Sequence, residues 1–131
     1  MNTIKKDLIE HLSNEGLRPQ EKSAGTATVI MFKYQMLTFI ICWDEDDARF
    51  LRICVPSIFS CDENNRNDVL EVLNRINYEN KIVKCILADD DVWVVAEQLL
   101  DSSPVYKDII DRTLDSLVMA VEEFFEDLRK S

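Results

Sequence analysis

The sequence predicts an α+β domain built on an antiparallel β-sheet. Residues 26–55 contain three apolar segments separated by short polar turns, and their β-branched and aromatic residues are typical of a meander of strands. Two further apolar segments flank three consecutive aspartates, which indicates a hairpin. Three amphipathic stretches have helical periodicity. Hairpin strands combined with separate helices indicate the α+β class.

The first predicted helix covers residues 3–15. Its apolar residues recur at helical spacing: Ile4, Leu8, Ile9 and Leu12. Gly16 can adopt the positive φ that ends a helix. Residues 17–25 are polar and include Pro19, so we interpret them as a connector with room for a short edge strand.

The meander is predicted as strands at residues 26–34, 36–43 and 48–55. The middle strand is apolar on both faces, since side chains alternate along a strand: Leu37, Phe39, Ile41 and Trp43 lie on one face, and Met36, Ile40 and Cys42 on the other. Antiparallel sheets usually keep one face polar. We therefore expect that a single chain of this size cannot shield both faces, and that a second copy or another polypeptide covers one of them.

A loop is predicted at residues 56–67, with Ile58 and Phe59 packing against the core. The next helix is predicted at residues 66–78, with an apolar stripe formed by Val69, Val72, Leu73 and Ile76. Three asparagines lie near its end: Asn74, Asn77 and Asn80. Because asparagine readily bonds local backbone groups, we expect these side chains to bond free carbonyls or the adjoining strand.

The second half of the sheet is predicted as a hairpin of residues 81–88 and 92–99 around the acidic turn 89–91. A long helix follows, with Ser103 as N-cap and Pro104 at its first position. Its apolar stripe is formed by Ile110, Leu114, Leu117, Val121, Phe124 and Leu128. We expect this helix to contribute most to stability, because a fully buried large apolar side chain contributes about 1.5–3 kcal/mol.

Length and charge limit the classes of partner. The 131 residues suffice for one domain, predicted to span residues 1–131. The formal net charge of −10 opposes binding to nucleic acid and to anionic membranes, because both depend on basic side chains. We therefore expect neither nucleic acid nor membrane as a partner.

The four cysteines lie mostly in apolar strand patterns: Cys42, Cys54, Cys61 and Cys85. They form no C-x-x-C motif and no zinc-like spacing with histidine. We interpret them as small buried residues with reduced thiols. The sequence has no signal-peptide pattern and no apolar run long enough to span a membrane, so we expect a cytoplasmic protein.

No motif for catalysis or cofactor binding is present. Two glycines exclude phosphate-binding loops, and the one histidine, His11, is interpreted as a surface residue. The acidic turn at residues 44–47 lacks the pattern of a calcium loop, because its sixth and twelfth positions are Arg49 and Val55. We expect no enzyme activity and no cofactor, and interpret both acidic turns as solvated; a divalent cation shared between them is the alternative.

Several segments carry a family resemblance: residues 69–77 (VLEVLNRIN), the strand 81–87, the acidic turn 89–91, the segment 92–100, and the pairs Asn74/Asn77 and Phe124/Phe125. Together they resemble the YbjN-like family, described as bacterial sensory transduction regulators. The predicted elements, a five-stranded antiparallel sheet with three helices in αβββαββα order, look like the type III secretion chaperone-like fold, to which that family belongs.

The resemblance brings no catalytic residues. Secretion chaperones of that fold are small, acidic and mostly homodimeric, and bind extended client segments without chemistry. We therefore expect a non-enzymatic protein-binding module, chaperone-like or regulatory, that acts by strand addition or through apolar pockets. The expected partner contacts are Phe32, Tyr34, Phe39, Trp43 and Trp93. The alternatives are a structural homodimer without a client, and a divalent-metal sensor or enzyme that uses the acidic turns.

Overall fold

The computed structural model describes residues 3–130 and has three helices and a six-stranded antiparallel sheet in that range. The α+β class is therefore confirmed. The elements in chain order are α1 (Thr3–Asn14), β1 (Gln20–Ala24), β2 (Ala27–Tyr34), β3 (Leu37–Asp44), a 3₁₀ turn (Glu45–Asp47), β4 (Phe50–Ser60), α2 (Arg66–Glu79), β5 (Val83–Ala88), β6 (Asp91–Leu99) and α3 (Tyr106–Arg129).

The sheet has six strands, so the prediction of five was wrong. Its spatial order is β1-β2-β3-β4-β6-β5, and all neighbours are antiparallel. The additional strand is β1, which lies within the predicted connector and pairs with β2. All five of its residues are exposed and none is a large apolar residue, so no hydrophobic pattern marks it. The element order is thus αββββαββα rather than αβββαββα.

Strand β4 is longer than predicted. The loop expected from Pro56 onward is strand as far as Ser60, and the pairing with β6 shifts register between Val55 and Phe59. Ser57 has a φ of 46° inside this irregularity. A bulge accommodates Pro56, which has no N–H to donate to a regular ladder. The Phe59 ring lies 5.7 Å from the Phe124 ring, so its predicted packing against the core is confirmed.

The turn between β2 and β3 removes Met36 from the predicted strand. Tyr34 pairs with Leu37, and Gln35 and Met36 between them have φ values of 51° and 66°. Two positive φ values in a two-residue loop are typical of a type I′ hairpin turn. The Met36 side chain is consequently fully exposed instead of lying on a sheet face.

The start of α3 also differs from the prediction. The helix begins at Tyr106 with Val105 as N-cap, not at Pro104 with Ser103 as N-cap. The Ser103 N–H instead donates to the Asp101 side chain at 2.9 Å. Asp and Ser side chains readily form such local turns, and these turns are an alternative to the helix. Ser103 and Pro104, which the capping pattern placed at the start of the helix, therefore precede it. The first and second helices each end within one residue of their predicted bounds.

All three helices pack on the same face of the sheet. The core contains alternate residues of the strands together with the apolar stripes of the helices, and α3 contributes the largest share: Ile110, Leu114, Leu117, Ala120, Val121 and Phe124. Phe124 is fully buried, and its ring lies 5.1 Å from that of Phe125. This layer fixes which side of the sheet is hidden.

Replacement of Phe124 by alanine tests the role of α3. Phe124→Ala should lower the free energy of unfolding by about 3–5 kcal/mol, because it leaves a cavity in the packed layer. Met119→Ala is the matched control, since Met119 lies on the same helix with 64% of its surface exposed. Urea unfolding followed by circular dichroism measures both. An unchanged midpoint for Phe124→Ala would contradict this description of the core.

Candidate functional site

The face of the sheet away from the helices has no covering element within residues 3–130, and we call it the open face. Its residues follow from strand alternation, because they are the strand side chains that do not join the core. The large or medium-sized apolar members are Val29, Met31, Ile40, Cys42, Phe50, Cys54, Ile86, Trp93, Val95 and Leu99. The expectation that the sheet is apolar on two sides therefore holds, and the chain's own helices shield only one.

The strand registers join these side chains into a continuous apolar surface. Met31 pairs with Ile40, Ile40 with Cys54, and Cys54 with Val95, so one row crosses four strands. Cys54 and Val95 are only 2% and 4% exposed, so they contribute little accessible surface. Met31 is 43% exposed at one side of the row. The accessible part of the row therefore lies toward Met31, and the side chains at Cys54 and Val95 are packed almost without solvent access.

The same registers extend the apolar surface toward β5. Ile86 pairs with Trp93, next to the end of the row at Val95. Ile86 is 37% exposed and Trp93 is partly exposed. Because contiguous apolar surface of this kind marks interaction sites, the open face is the candidate functional site.

The charge of the open face differs from that of the rest of the chain. By strand alternation it carries four basic side chains, Lys22, Lys33, Arg52 and Lys84, and three acidic ones, Asp44, Asp91 and Glu97. The whole chain has 15 basic and 25 acidic residues. Basic side chains are therefore concentrated around an apolar centre on an otherwise acidic protein.

An ion-pair triad lies within the open face. Arg52 donates to Glu97 Oε2 from Nη2 at 2.7 Å and from Nε at 3.1 Å, and Lys84 Nζ donates to Glu97 Oε1 at 2.7 Å. The hydrogen bonds from Lys84 and then from Arg52 hold the pKa of Glu97 below its usual range. Two cations share one carboxylate, which leaves the triad with a net positive charge.

A groove continues the open face past β2. It has a volume of about 450 Å³ and is lined by Gly16, Leu17, Arg18, Gln20, Met31, Phe32, Lys33 and Thr38. Two of its lining side chains, Arg18 and Lys33, are basic, and Met31 joins the groove to the apolar row. The groove thus repeats the combination of apolar surface and positive charge.

The outer edge of the sheet at β5 is closed by a side chain. Asn77 Nδ2 donates to the Cys85 carbonyl at 3.0 Å, and the Cys85 N–H donates to Asn77 Oδ1 at 2.6 Å. The Asn77 carboxamide thereby replaces the peptide group of a neighbouring strand. Asn80 Nδ2 donates to the Ile76 carbonyl at 3.0 Å, so the predicted bonding is confirmed for these two asparagines. Asn74 is exposed on α2.

The predicted partner contacts divide between the two faces. Phe32, Phe39 and Trp43 are 2%, 0% and 3% exposed in the core beneath the helices, and a partner cannot reach them without unfolding the chain. Tyr34 is half-buried on that same side, where its hydroxyl donates to Asp115 of α3 at 2.6 Å. Trp93 lies on the open face.

Sequence reasoning missed most of the surface, since it selected the large aromatic residues. Apart from Trp93 and Phe50, which was not among the selected aromatic residues, the open face uses smaller apolar side chains such as Ile40 and Cys42. The signal was present in the middle strand: its larger set of side chains faces the three helices, and the smaller set, with Ile40 and Cys42, faces outward.

The two acidic turns do not come together. Phe50 pairs with Leu99 near the turn at residues 44–47, and Ser60 pairs with Asp91 near the turn at residues 89–91. The eight residue steps between Asp91 and Leu99 separate the turns by roughly 25 Å at about 3.3 Å per residue. The two turns cannot share a cation at this separation. The alternative of a divalent cation held between them is therefore wrong.

One other group in the described chain has ligand-like spacing: His11, Glu15 and Asp111. His11 is partly buried rather than a plain surface residue, and its Nε2 lies 2.9 Å from Asp111 Oδ1. Lys107 Nζ lies 3.1 Å from Asp111 Oδ2 and 3.4 Å from Glu15 Oε1. The lysine already supplies a cation to both carboxylates, so this cluster joins α1 to α3.

Removal of the Asn77 carboxamide tests the closure of the β5 edge. Asn77→Ala should lower the free energy of unfolding by about 1–2 kcal/mol and accelerate amide exchange at Cys85, because two backbone groups lose their partners. Asn74→Ala on the same helix is the control. Equal stability of the two variants, with unchanged exchange at Cys85, would exclude this role.

A second prediction concerns the pH dependence of the triad. Because the folded pKa of Glu97 lies below its unfolded value, its stabilising contribution is present above pH 4.5 and is lost as pH falls through the folded pKa. Glu97→Gln should cost about 0.5–1 kcal/mol at pH 7, after allowance for solvent screening, and progressively less at an acidic pH below the folded pKa. Glu126→Gln, at a 61% exposed side chain, is the control. A cost for Glu97→Gln that is the same at both pH values would contradict the prediction.

No helix in residues 3–130 is both long and apolar enough to cross a membrane. No curated protein matches the sequence. A family model described as "Putative bacterial sensory transduction regulator" matches residues 5–130 and so includes every strand of the sheet and nearly all of the three helices. The chain therefore belongs to the YbjN family.

Proposed function

We propose that this protein is a non-enzymatic, regulatory protein-binding module whose open face receives an apolar segment with acidic flanks from another protein. The regulatory part of the proposal is compatible with the description of its family. The binding part rests on one observation, the apolar sheet face that no element of residues 3–130 covers.

The composition of the open face supports packing against a polypeptide. Partly exposed Ile40 and Trp93 lie on this face with polar side chains around them, and apolar centres with a polar rim are typical of protein interfaces. Partly exposed Trp93 is the kind of large amphipathic side chain that often contributes most to binding energy.

The charges favour an acidic partner over a second copy. A closed dimer is isologous, so the open face of one copy would meet the open face of the other. Lys22 and Lys33 are exposed on that face, and the face carries four basic and three acidic side chains, so each copy would bring the same small excess of positive charge to such an interface. The net charge of −10 adds repulsion between whole chains. Acidic residues that flank an apolar segment would instead pair with these lysines.

The edges favour binding across the face over strand addition. Asn77 blocks the β5 edge at Cys85, and the opposite edge, β1, is a short polar strand that contains Lys22. Charged and short edges are poor templates for an added strand. The groove beside Met31 gives the bound segment a path off the apolar row.

The proposed role requires neither a cofactor nor nucleic acid. The four cysteines are free thiols, which supports the proposal of a cytoplasmic location, where thiols stay reduced. A chaperone-like form of the role, in which the segment belongs to an unfolded client, and the type III secretion chaperone-like fold itself both stay predictions. Homodimer formation is an outcome of the following test.

Site-specific photocrosslinking tests the proposal in cells of the source bacterium. A photoreactive amino acid in place of Trp93 should crosslink one protein reproducibly, through a segment rich in apolar residues with acidic neighbours. The control probe replaces Tyr78, which is 88% exposed on α2, and should not capture that protein. Mass spectrometry identifies the crosslinked segment.

Two variants sharpen the result. Ile40→Arg should abolish the crosslink, and Leu70→Arg on α2, at a 44% exposed position, should leave it unchanged. A synthetic peptide of the crosslinked segment should bind the purified chain, with affinity that falls as salt rises and falls about tenfold in Lys22→Glu/Lys33→Glu. A crosslink only to a second copy, or equal capture by both probes, would overturn the proposal.

A further inference from the structure

We propose that the groove past β2 is a carboxylate-binding subsite, in which Arg18 and Lys33 hold one acidic side chain of the segment that the open face receives. This inference rests on the proposed function, because it identifies what one acidic flank of that segment binds. Three features of the groove support it: the charge of its lining, a free strand edge in one wall, and a fixed main-chain path in the other.

The lining of the groove is positively charged on an acidic protein. None of the eight residues that line it is acidic, although acidic residues outnumber basic ones by 25 to 15 in the chain. Arg18 and Lys33 are both exposed, and neither forms an ion pair with another residue in the range 3–130. Both cations are therefore available to an anion from outside the chain.

The acidic residues next to Arg18 in the sequence bind other cations. The nearest ones are Glu15 and Glu21, each three positions away. Glu15 Oε1 lies 3.4 Å from the ammonium of Lys107 on α3. Glu21 Oε2 lies 2.7 Å from the ammonium of Lys5 on α1. The guanidinium of Arg18 is thus left without a carboxylate from its own neighbourhood in the chain.

One wall of the groove contains a free strand edge. The pairing of β1 with β2 stops at Met31, so residues 32–34 of β2 have no neighbour on that side. The residues that flank a two-residue hairpin turn form a hydrogen-bonded pair, here Tyr34 and Leu37. Bonded and non-bonded pairs alternate along an antiparallel ladder, so the main chain of Lys33 points away from β3. Its N–H is consequently a hydrogen-bond donor at the wall of the groove.

The opposite wall, which joins α1 to β1, has a fixed path. The Leu17 N–H donates to the Leu12 carbonyl at 3.0 Å, and Gly16 before it has a φ of 83°. This combination is typical of the Schellman motif that ends a helix. Leu17 also packs against the core. Because Arg18 follows directly after these anchored residues, its main chain is held beside the groove.

The two walls leave room for a side chain from a partner. No backbone hydrogen bond joins residues 16–19 to residues 32–34, and the groove has a volume of about 450 Å³. The planar guanidinium of Arg18 suits a carboxylate through two parallel hydrogen bonds, and the ammonium of Lys33 adds a second positive charge. Met31 joins the groove to the apolar row. The groove therefore suits an acidic side chain whose apolar neighbours lie on the open face.

An NMR titration of the purified chain tests the subsite without the unidentified partner. The probe is N-acetyl-leucyl-aspartate amide, which carries one side-chain carboxylate, and the matched control is the corresponding leucyl-asparagine amide. The aspartate probe should shift the amide signals of Lys33 and Thr38 with a Kd of about 1 mM, as expected for a ligand of this size. The asparagine control should bind about fivefold more weakly, since it lacks the charge.

Variants assign the binding to Arg18. Arg18→Gln should weaken the aspartate probe about fivefold, and Arg18→Lys should recover part of the affinity, because lysine keeps the charge without the planar fork. Arg112→Gln is the control, since it removes the same charge from an exposed position on α3 outside the groove. Equal binding of the two probes, or equal affinity in Arg18→Gln and Arg112→Gln, would overturn the proposal. Equally tight binding of the leucyl-asparagine free acid would also overturn it, by assigning the groove to a chain terminus.

The crosslinked segment separates this inference from the proposed function. Replacement of one acidic residue of that segment by its amide should weaken binding to the native chain and leave binding to Arg18→Gln unchanged. A segment that binds Arg18→Gln and Arg112→Gln equally well would refute the subsite and leave the proposed function intact. Selective binding of the aspartate probe without any crosslinked segment would refute the proposed function and retain the groove as a carboxylate site.

Discussion

The alternation of side chains across the sheet, combined with three helices on one side of it, is the constraint on which the rest of the structure depends. Each of the strands β2 to β6 sends alternate side chains into the layer beneath the helices, where α3 and the Phe59–Phe124–Phe125 ring cluster complete the core. The other half must face outward. The outward set is nevertheless largely apolar, and two of its small side chains, Cys54 and Val95, are almost fully buried. The fold is thereby complete on one side and open on the other.

Charge is distributed to match this asymmetry. The chain is strongly acidic, but the open face gathers Lys22, Lys33, Lys84 and Arg52 around its apolar centre. Arg52 has two roles there, since it shares Glu97 with Lys84 and also lies opposite Cys42 in the strand register. The open face therefore combines apolar side chains with a small excess of positive charge, and this is the composition that the proposed acidic, apolar segment would match.

The edges of the sheet direct a partner to the face. Asn77 satisfies the backbone of Cys85 as a neighbouring strand would, so α2 protects β5 with a single carboxamide. At the other side β1 is short, polar and fully exposed, and ion pairing between Lys5 and Glu21 holds it to α1. Both features limit the addition of a strand from another chain, which can pair with an unprotected edge. The face between them is left as the extended surface for recognition.

The sequence by itself determined the α+β class, the positions of the helices to within a few residues, and the two-sided apolar character of β3, because these depend on local periodicity. It left room for a short edge strand in residues 17–25 but could not show that β1 pairs there, because that pairing is a backbone property without a hydrophobic pattern. It also did not reveal the bulge that carries β4 past Pro56. Nor could it tell which face the helices would cover. Alternation puts Phe39 and Ile40 on opposite faces of the sheet but does not say which of them is buried. The proximity of Cys42, Cys54 and Arg52 depends on the strand register, which the sequence does not give either. Tertiary structure decided both, since the docking of α1, α2 and α3 on one side put Phe32, Phe39 and Trp43 into the core and left Ile40, Cys42 and Trp93 on the open face.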